Sequence, residues 1–280
     1  MTILTINGLK LNYEILRASN LAPDEPRETL VLVHGIVIDN LASYYLTIAP
    51  AIAAAGIDVI MFDHRGHGKS ERIKSGYQME HILDDIAELL DTIHDGTPVH
   101  IAGNSYGGTI AYGFALKFPE RVASLGSLEA EPPTAFWANE MVQAFEESYA
   151  EMRRPDAMVR MLASFGMPGV KMLKNGKRMA KDTDFFEELP QAQLVADDAI
   201  AGLEMPVLAV YGSEFKLVEQ EPKVRELIKN VKTVIVPGVG HSLLTDVPRL
   251  LEELLIDWVL EHPVVSGKAL SPVPNHEPSH

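Results

Sequence analysis

No cysteine occurs among the 280 residues, which excludes disulfides, thiol nucleophiles and cysteine-ligated zinc. No apolar run reaches the roughly 18 residues a membrane helix needs, so no membrane partner is expected. Bases are in short supply: 24 Lys and Arg stand against 39 Asp and Glu, a formal charge of −15. Nucleic acid and anionic lipid are held by bases meeting phosphates, so neither is an expected partner. The opening stretch, MTILTINGLKLNYEIL, lacks a basic start ahead of a continuous apolar run, and a signal peptide is not expected. With 46% apolar and 22% charged residues, the default is a globular, cytoplasmic protein.

What the chain does have is a regular alternation. Asn7-Gly8, between two β-branched and apolar segments, is a strong hairpin signal. Apolar runs then recur at 30–34 (LVLVH), 58–62 (DVIMF), 99–103 (VHIAG), 122–128 (VASLGSL), 206–212 (PVLAVYG) and 232–238 (KTVIVPG). Short, nearly unbroken runs of this kind mark strands buried on both faces of a parallel sheet. Helical spacing fills Ser43–Ala55, Met79–His94, Gly107–Lys117, Glu219–Asn230 and Pro248–Leu260. The alternation predicts an α/β fold with an eight-stranded, mostly parallel, doubly covered sheet. The interval 130–204 carries no strand pattern but holds seven of the eleven methionines, and reads as an inserted helical cap. The expected division is a core of 1–131 and 205–263, a cap of 132–204 and a polar, proline-rich tail of 264–280.

Four motifs carry chemistry. GNSYG (103–107) follows a strand and opens a helix, the setting of a nucleophile elbow. The turn is too tight for flanking side chains, hence Gly103, Gly107 and Gly108, and it pushes Ser105 out at the head of the sheet. In VLVHGIV (31–37), the amide of Ile36 is placed to form an oxyanion hole with the amide of Tyr106; His34 reads as structural. FDHRGHGKS (62–70) contains His64 and His67 without a zinc-ligand spacing, so it reads as a hydrogen-bonded turn and not a metal site. PGVGHSLLTDVP (237–248) puts His241 after the last strand, where a base can take the proton that makes a serine hydroxyl nucleophilic. Asp246 is expected to cap the last helix ahead of Pro248.

In order and spacing, the HG turn, the D-x-R-G-x-G-x-S loop, the G-x-S-x-G elbow and the late G-x-G-H resemble the α/β-hydrolase fold over roughly residues 1–263. The resemblance implies Ser–acid–His catalysis without a cofactor, and a lid inserted where the helical interval falls. Most of that family carries its acid as the Asp of a G-x-x-D turn after the seventh strand. Here the turn is Gly212-Ser213-Glu214-Phe215, with Phe215 at the acid position and Glu214 one residue early. Haloalkane dehalogenases place their acid after the sixth strand, and Glu129 in GSLEAEPP (126–133) is similar. Glu129 is therefore the first choice of acid and Glu214 the second, with Glu131 turned toward the cap or its entrance. The nucleophile is unlike the dehalogenases' aspartate, so dehalogenation is not expected.

Trp137, Phe136, Phe145, Met141 and Met161 are the candidate substrate contacts in the cap, favouring a hydrophobic acyl or aromatic substrate. KMLKNGKRMAK (171–181) carries five bases from Lys171 to Lys181, read either as a solvated helix face or as a dock for an acyl-carrier protein or coenzyme A. The expected function is a serine hydrolase of esters, lactones or thioesters. The alternatives are a carrier or coenzyme A thioesterase, a C–C bond hydrolase and a non-catalytic ligand receptor on the same fold.

Overall fold

The computed structural model describes residues 2–19, 21, 25 and 27–264; the predicted tail lies outside them from residue 265 onward. Eight strands form one sheet in the order β1-β2-β4-β3-β5-β6-β7-β8. They are β1 (Thr2–Ile6), β2 (Leu9–Leu16), β3 (Glu28–Val33), β4 (Ile57–Phe62), β5 (Val99–Asn104), β6 (Val122–Leu128), β7 (Val207–Gly212) and β8 (Val231–Val236). β2 pairs antiparallel with β1 and β4, and every other pairing is parallel. Asn7 and Gly8 turn the first hairpin with φ of 49° and 75°, the left-handed conformation a tight hairpin demands.

The central strands β4, β5 and β7 are buried at every residue, as their unbroken apolar runs require. Successive side chains point to opposite faces. Val31 and Val33 thus enter one hydrophobic core with Phe62 and Ile101, while Leu30 and Leu32 enter a second core with Val59 and Met61. Helices α1 (Ala42–Tyr45) and α2 (Ala49–Ala54) follow β3, α3 (Met79–Ile93) follows β4, and α4 (Tyr106–Lys117) follows β5. Four helices lie between β6 and β7: α5 (Ala135–Arg153), α6 (Ala157–Asp182), α7 (Phe185–Glu188) and α8 (Asp197–Ala201). α9 (Glu221–Leu227) joins β7 to β8, and α10 (Leu243–Asp246) and α11 (Pro248–Glu261) follow β8.

Three helix expectations change, each near a proline. The segment 43–55 divides into α1 and α2, because Pro50 has no N–H to offer the Leu46 carbonyl. The helix expected from Glu219 starts at Glu221 with Pro222 in its first turn, after a tighter 3₁₀ turn over Lys216–Gln220. Asp246 does not cap the last helix. It ends α10, and Val247, with φ −136° and ψ 47°, takes the capping position without a side-chain bond. Among the described residues, no helix is long and apolar enough to cross a membrane.

Candidate active site

Ser105 sits between β5 and α4 with φ 55° and ψ −128°, a strained backbone for a residue with a side chain. The neighbouring glycines make that turn possible. A Cβ on Gly107 would overlap the Val33 carbonyl, and one on Gly103 would overlap the backbone of Gly107. The Ser105 hydroxyl reaches His241 Nε2 at 3.0 Å. On the other side of the ring, His241 Nδ1 faces Glu129 Oε2 at 3.2 Å. Nδ1–H donating to the carboxylate leaves Nε2 free to accept from the serine.

Glu129 is fully buried and also has a positive φ, 49°. Its amide donates to the Val210 carbonyl at 2.8 Å, and its second carboxylate oxygen accepts the Gly212 amide. The end of β7 thus supplies a backbone donor to the carboxylate that follows β6. A side chain at Gly212 would strike the Val239 and Gly240 carbonyls. Glu214 points away: it is exposed and takes a hydrogen bond from the Ser213 hydroxyl at 3.2 Å. Phe215 lies over the His241 ring, with centroids 4.4 Å apart and planes at 32°.

The loop after β3 is held by three stacked or edge-on imidazoles. His34 and His64 stack at 3.9 Å, and His67 meets His64 edge-on at 4.1 Å. The Val37 amide donates to His67 Nε2 at 3.0 Å, and His67 Nδ1 faces the Arg65 carbonyl at 3.0 Å. Val37 has φ 66°, costly for a β-branched residue, so the imidazole bond fixes an otherwise unfavourable turn. Burial lowers all three histidines, His64 to about 4, and keeps them neutral acceptors and donors. Among the described residues, no group of three or more His, Asp or Glu could hold a metal ion. Neither the Ile36 nor the Tyr106 amide has a backbone acceptor among the described residues, and both residues line the same cavity as Ser105.

That cavity, of about 1090 Å³, lies between the sheet and the helices of 135–182. Trp137, Met141, Phe145 and Met161 line it. The first three fall at i, i+4 and i+8 on one face of α5. Trp137 stacks on Tyr106 with a 6.0 Å separation. Phe136 is a correction: it is 41% exposed and outside the cavity, because one residue along a helix is roughly 100° around it. The five bases between Lys171 and Lys181 lie on the exposed face of α6, while Met172, Leu173 and Gly176 face the cavity. Asp39, Glu140 and Lys216 also line it without having been foreseen. Loop and cap packing places them, and neither leaves a local sequence pattern.

The sequence profile of the alpha/beta hydrolase fold matches residues 28–168.

The chain belongs to the alpha/beta hydrolase family.

This hydrolase is 23% identical over 227 residues to a bifunctional esterase/perhydrolase of Acinetobacter calcoaceticus, covering 73% of this chain and 82% of that one. It is 23% identical over 246 residues to an (E)-2-((N-methylformamido)methylene)succinate hydrolase of Acinetobacter baylyi, 83% and 90% of the two chains. A meta-cleavage product hydrolase from Pseudomonas fluorescens superposes with a TM-score of 0.73 at 20% identity, over 94% of this chain and 98% of its own.

Proposed function

We propose that this hydrolase cleaves a carboxylic ester, lactone or thioester of a hydrophobic acyl or aromatic substrate, with Ser105, His241 and Glu129 as its triad. The observation that carries this reading is the unbroken hydrogen-bonded line from Ser105 Oγ through His241 to Glu129 at a cavity of about 1090 Å³. His241 Nε2 takes the serine proton as Oγ attacks the carbonyl carbon, and the Glu129 carboxylate stabilises the imidazolium. The Ile36 and Tyr106 amides receive the oxyanion, a contribution of about 10²–10³ in rate for one such donor. The imidazolium then protonates the leaving group, and water activated by the same ring releases the acyl group from Ser105.

A panel of p-nitrophenyl esters, lactones and acyl thioesters tests it. Turnover of at least one class, abolished to background in Ser105→Ala, is the expected result. Equal turnover by the two proteins would sink the reading.

A further inference from the structure

The triad leaves one buried carboxylate of the cavity unused. Glu131 follows β6 by three residues, ahead of Pro132-Pro133, and is 4% exposed. It lines the cavity that holds Ser105 and His241. Among the described residues, no hydrogen bond or ion pair reaches its carboxylate; the Tyr112 and Tyr211 hydroxyls feel its charge, and that of Tyr211 has no hydrogen-bond partner of its own. An isolated buried carboxylate is costly and has to be justified by something it meets. The rest of the cavity adds negative charge. Asp39, Glu129, Glu140, Glu147 and Glu151 also line it; Glu140 is ion-paired to the one lining lysine, Lys216, and Glu151 to Arg154 and Arg160.

We propose that Glu131 anchors a cation subsite, so that the preferred substrate carries a protonated amine on its otherwise apolar acyl or alcohol part. The inference deepens the hydrolase reading and rests on it for the word substrate. An ammonium supplies both what the carboxyl lacks, an N–H donor, and the charge that the acidic lining favours. The same lining repels carboxylates and the phosphates of coenzyme A, which sets the exposed bases of α6 apart from the cavity's own preference. Burial, with the charge of Glu140 on α5 adding to it, pushes the Glu131 carboxyl up to about 7. Lys216 and Lys223 act in the opposite direction. Ammonium binding is therefore expected to strengthen as pH rises through that value and the carboxyl ionises.

Calorimetric titration of the full chain with hexylammonium, hexan-1-ol and hexanoate at pH 8 reads this subsite without any turnover. Hexylammonium is expected to bind roughly tenfold tighter than hexan-1-ol, the scale of one charge-assisted hydrogen bond, with hexanoate weakest. In Glu131→Gln and Glu131→Leu the ammonium and alcohol affinities should converge, while that for hexan-1-ol stays unchanged. Removing an unpaired buried carboxyl should not unfold the protein, and thermal melts of both variants check this. Alcohol bound as tightly as ammonium by the native protein, or a preference that survives both variants, overturns the subsite. Because binding needs no active serine, lost turnover with intact ammonium preference indicts the hydrolase reading alone. Turnover of neutral esters without that preference indicts the subsite alone.

Discussion

The Glu129 carboxylate accepts the Gly212 amide with one oxygen and faces the His241 ring with the other. In the proposed triad, Glu129→Gln keeps the size and loses the charge that orients and stabilises the imidazolium. Its kcat is expected to drop by several orders of magnitude, on the scale of the about 10⁴-fold known for a triad Asp→Asn change. Glu214→Gln alters an exposed side chain and should leave kcat nearly unchanged. Similar modest losses in the two variants, in steady-state ester hydrolysis, would overturn the acid assignment. The positions of Ser105 and His241 at the head of the sheet were legible in the sequence because each sits in a short motif whose geometry is local. That the Glu129 carboxylate would meet His241 was legible by contrast, since Phe215 stands where an acid is usual. The packing of Phe215 on the imidazole was not legible, nor was the isolation of Glu131, because both depend on which distant segments close over them.

At the scale of elements, the elbow depends on glycine for space. Gly107→Ala would drive a methyl into the Val33 carbonyl of the adjoining strand. It should lower stability by at least the about 1–3 kcal/mol of ordinary overpacking, whereas Gly240→Ala, with nothing within 4 Å of its added methyl, should keep its stability. Urea denaturation of the two variants measures the difference; equal midpoints would contradict the packing account. The strands were legible because burial on both faces leaves unbroken apolar runs. Helix limits were displaced where Pro50 and Pro222 interrupt the donor pattern. The break in α6 at Gly166, with φ 62° and ψ −153° beside Pro168, had no foreseen counterpart, because helical spacing continues across it.

Across the whole molecule, buried titratable groups set the response to acid. Burial lowers His34, His64, His67 and His94, so the unfolded chain takes up protons that the fold refuses as pH falls below about 6.5. Burial raises Asp39 and Glu131, and these two act in the opposite sense. Four histidines against two carboxyls leave the histidines in excess, so urea midpoints should fall between pH 6.5 and 4. A flat or rising profile would contradict this balance. Glu131→Gln isolates the opposing part: it should gain on the native protein as pH rises from 4.5 through about 7, where the native carboxyl is forced to ionise in the fold. Whether Ser105 is an activated nucleophile in this fold is decided by covalent trapping with a fluorophosphonate, read by intact mass and peptide mapping. A single adduct on the peptide carrying Ser105 is expected, absent in Ser105→Ala and greatly slowed in His241→Ala. A folded protein that takes up no adduct, or takes it up at another residue, would contradict it.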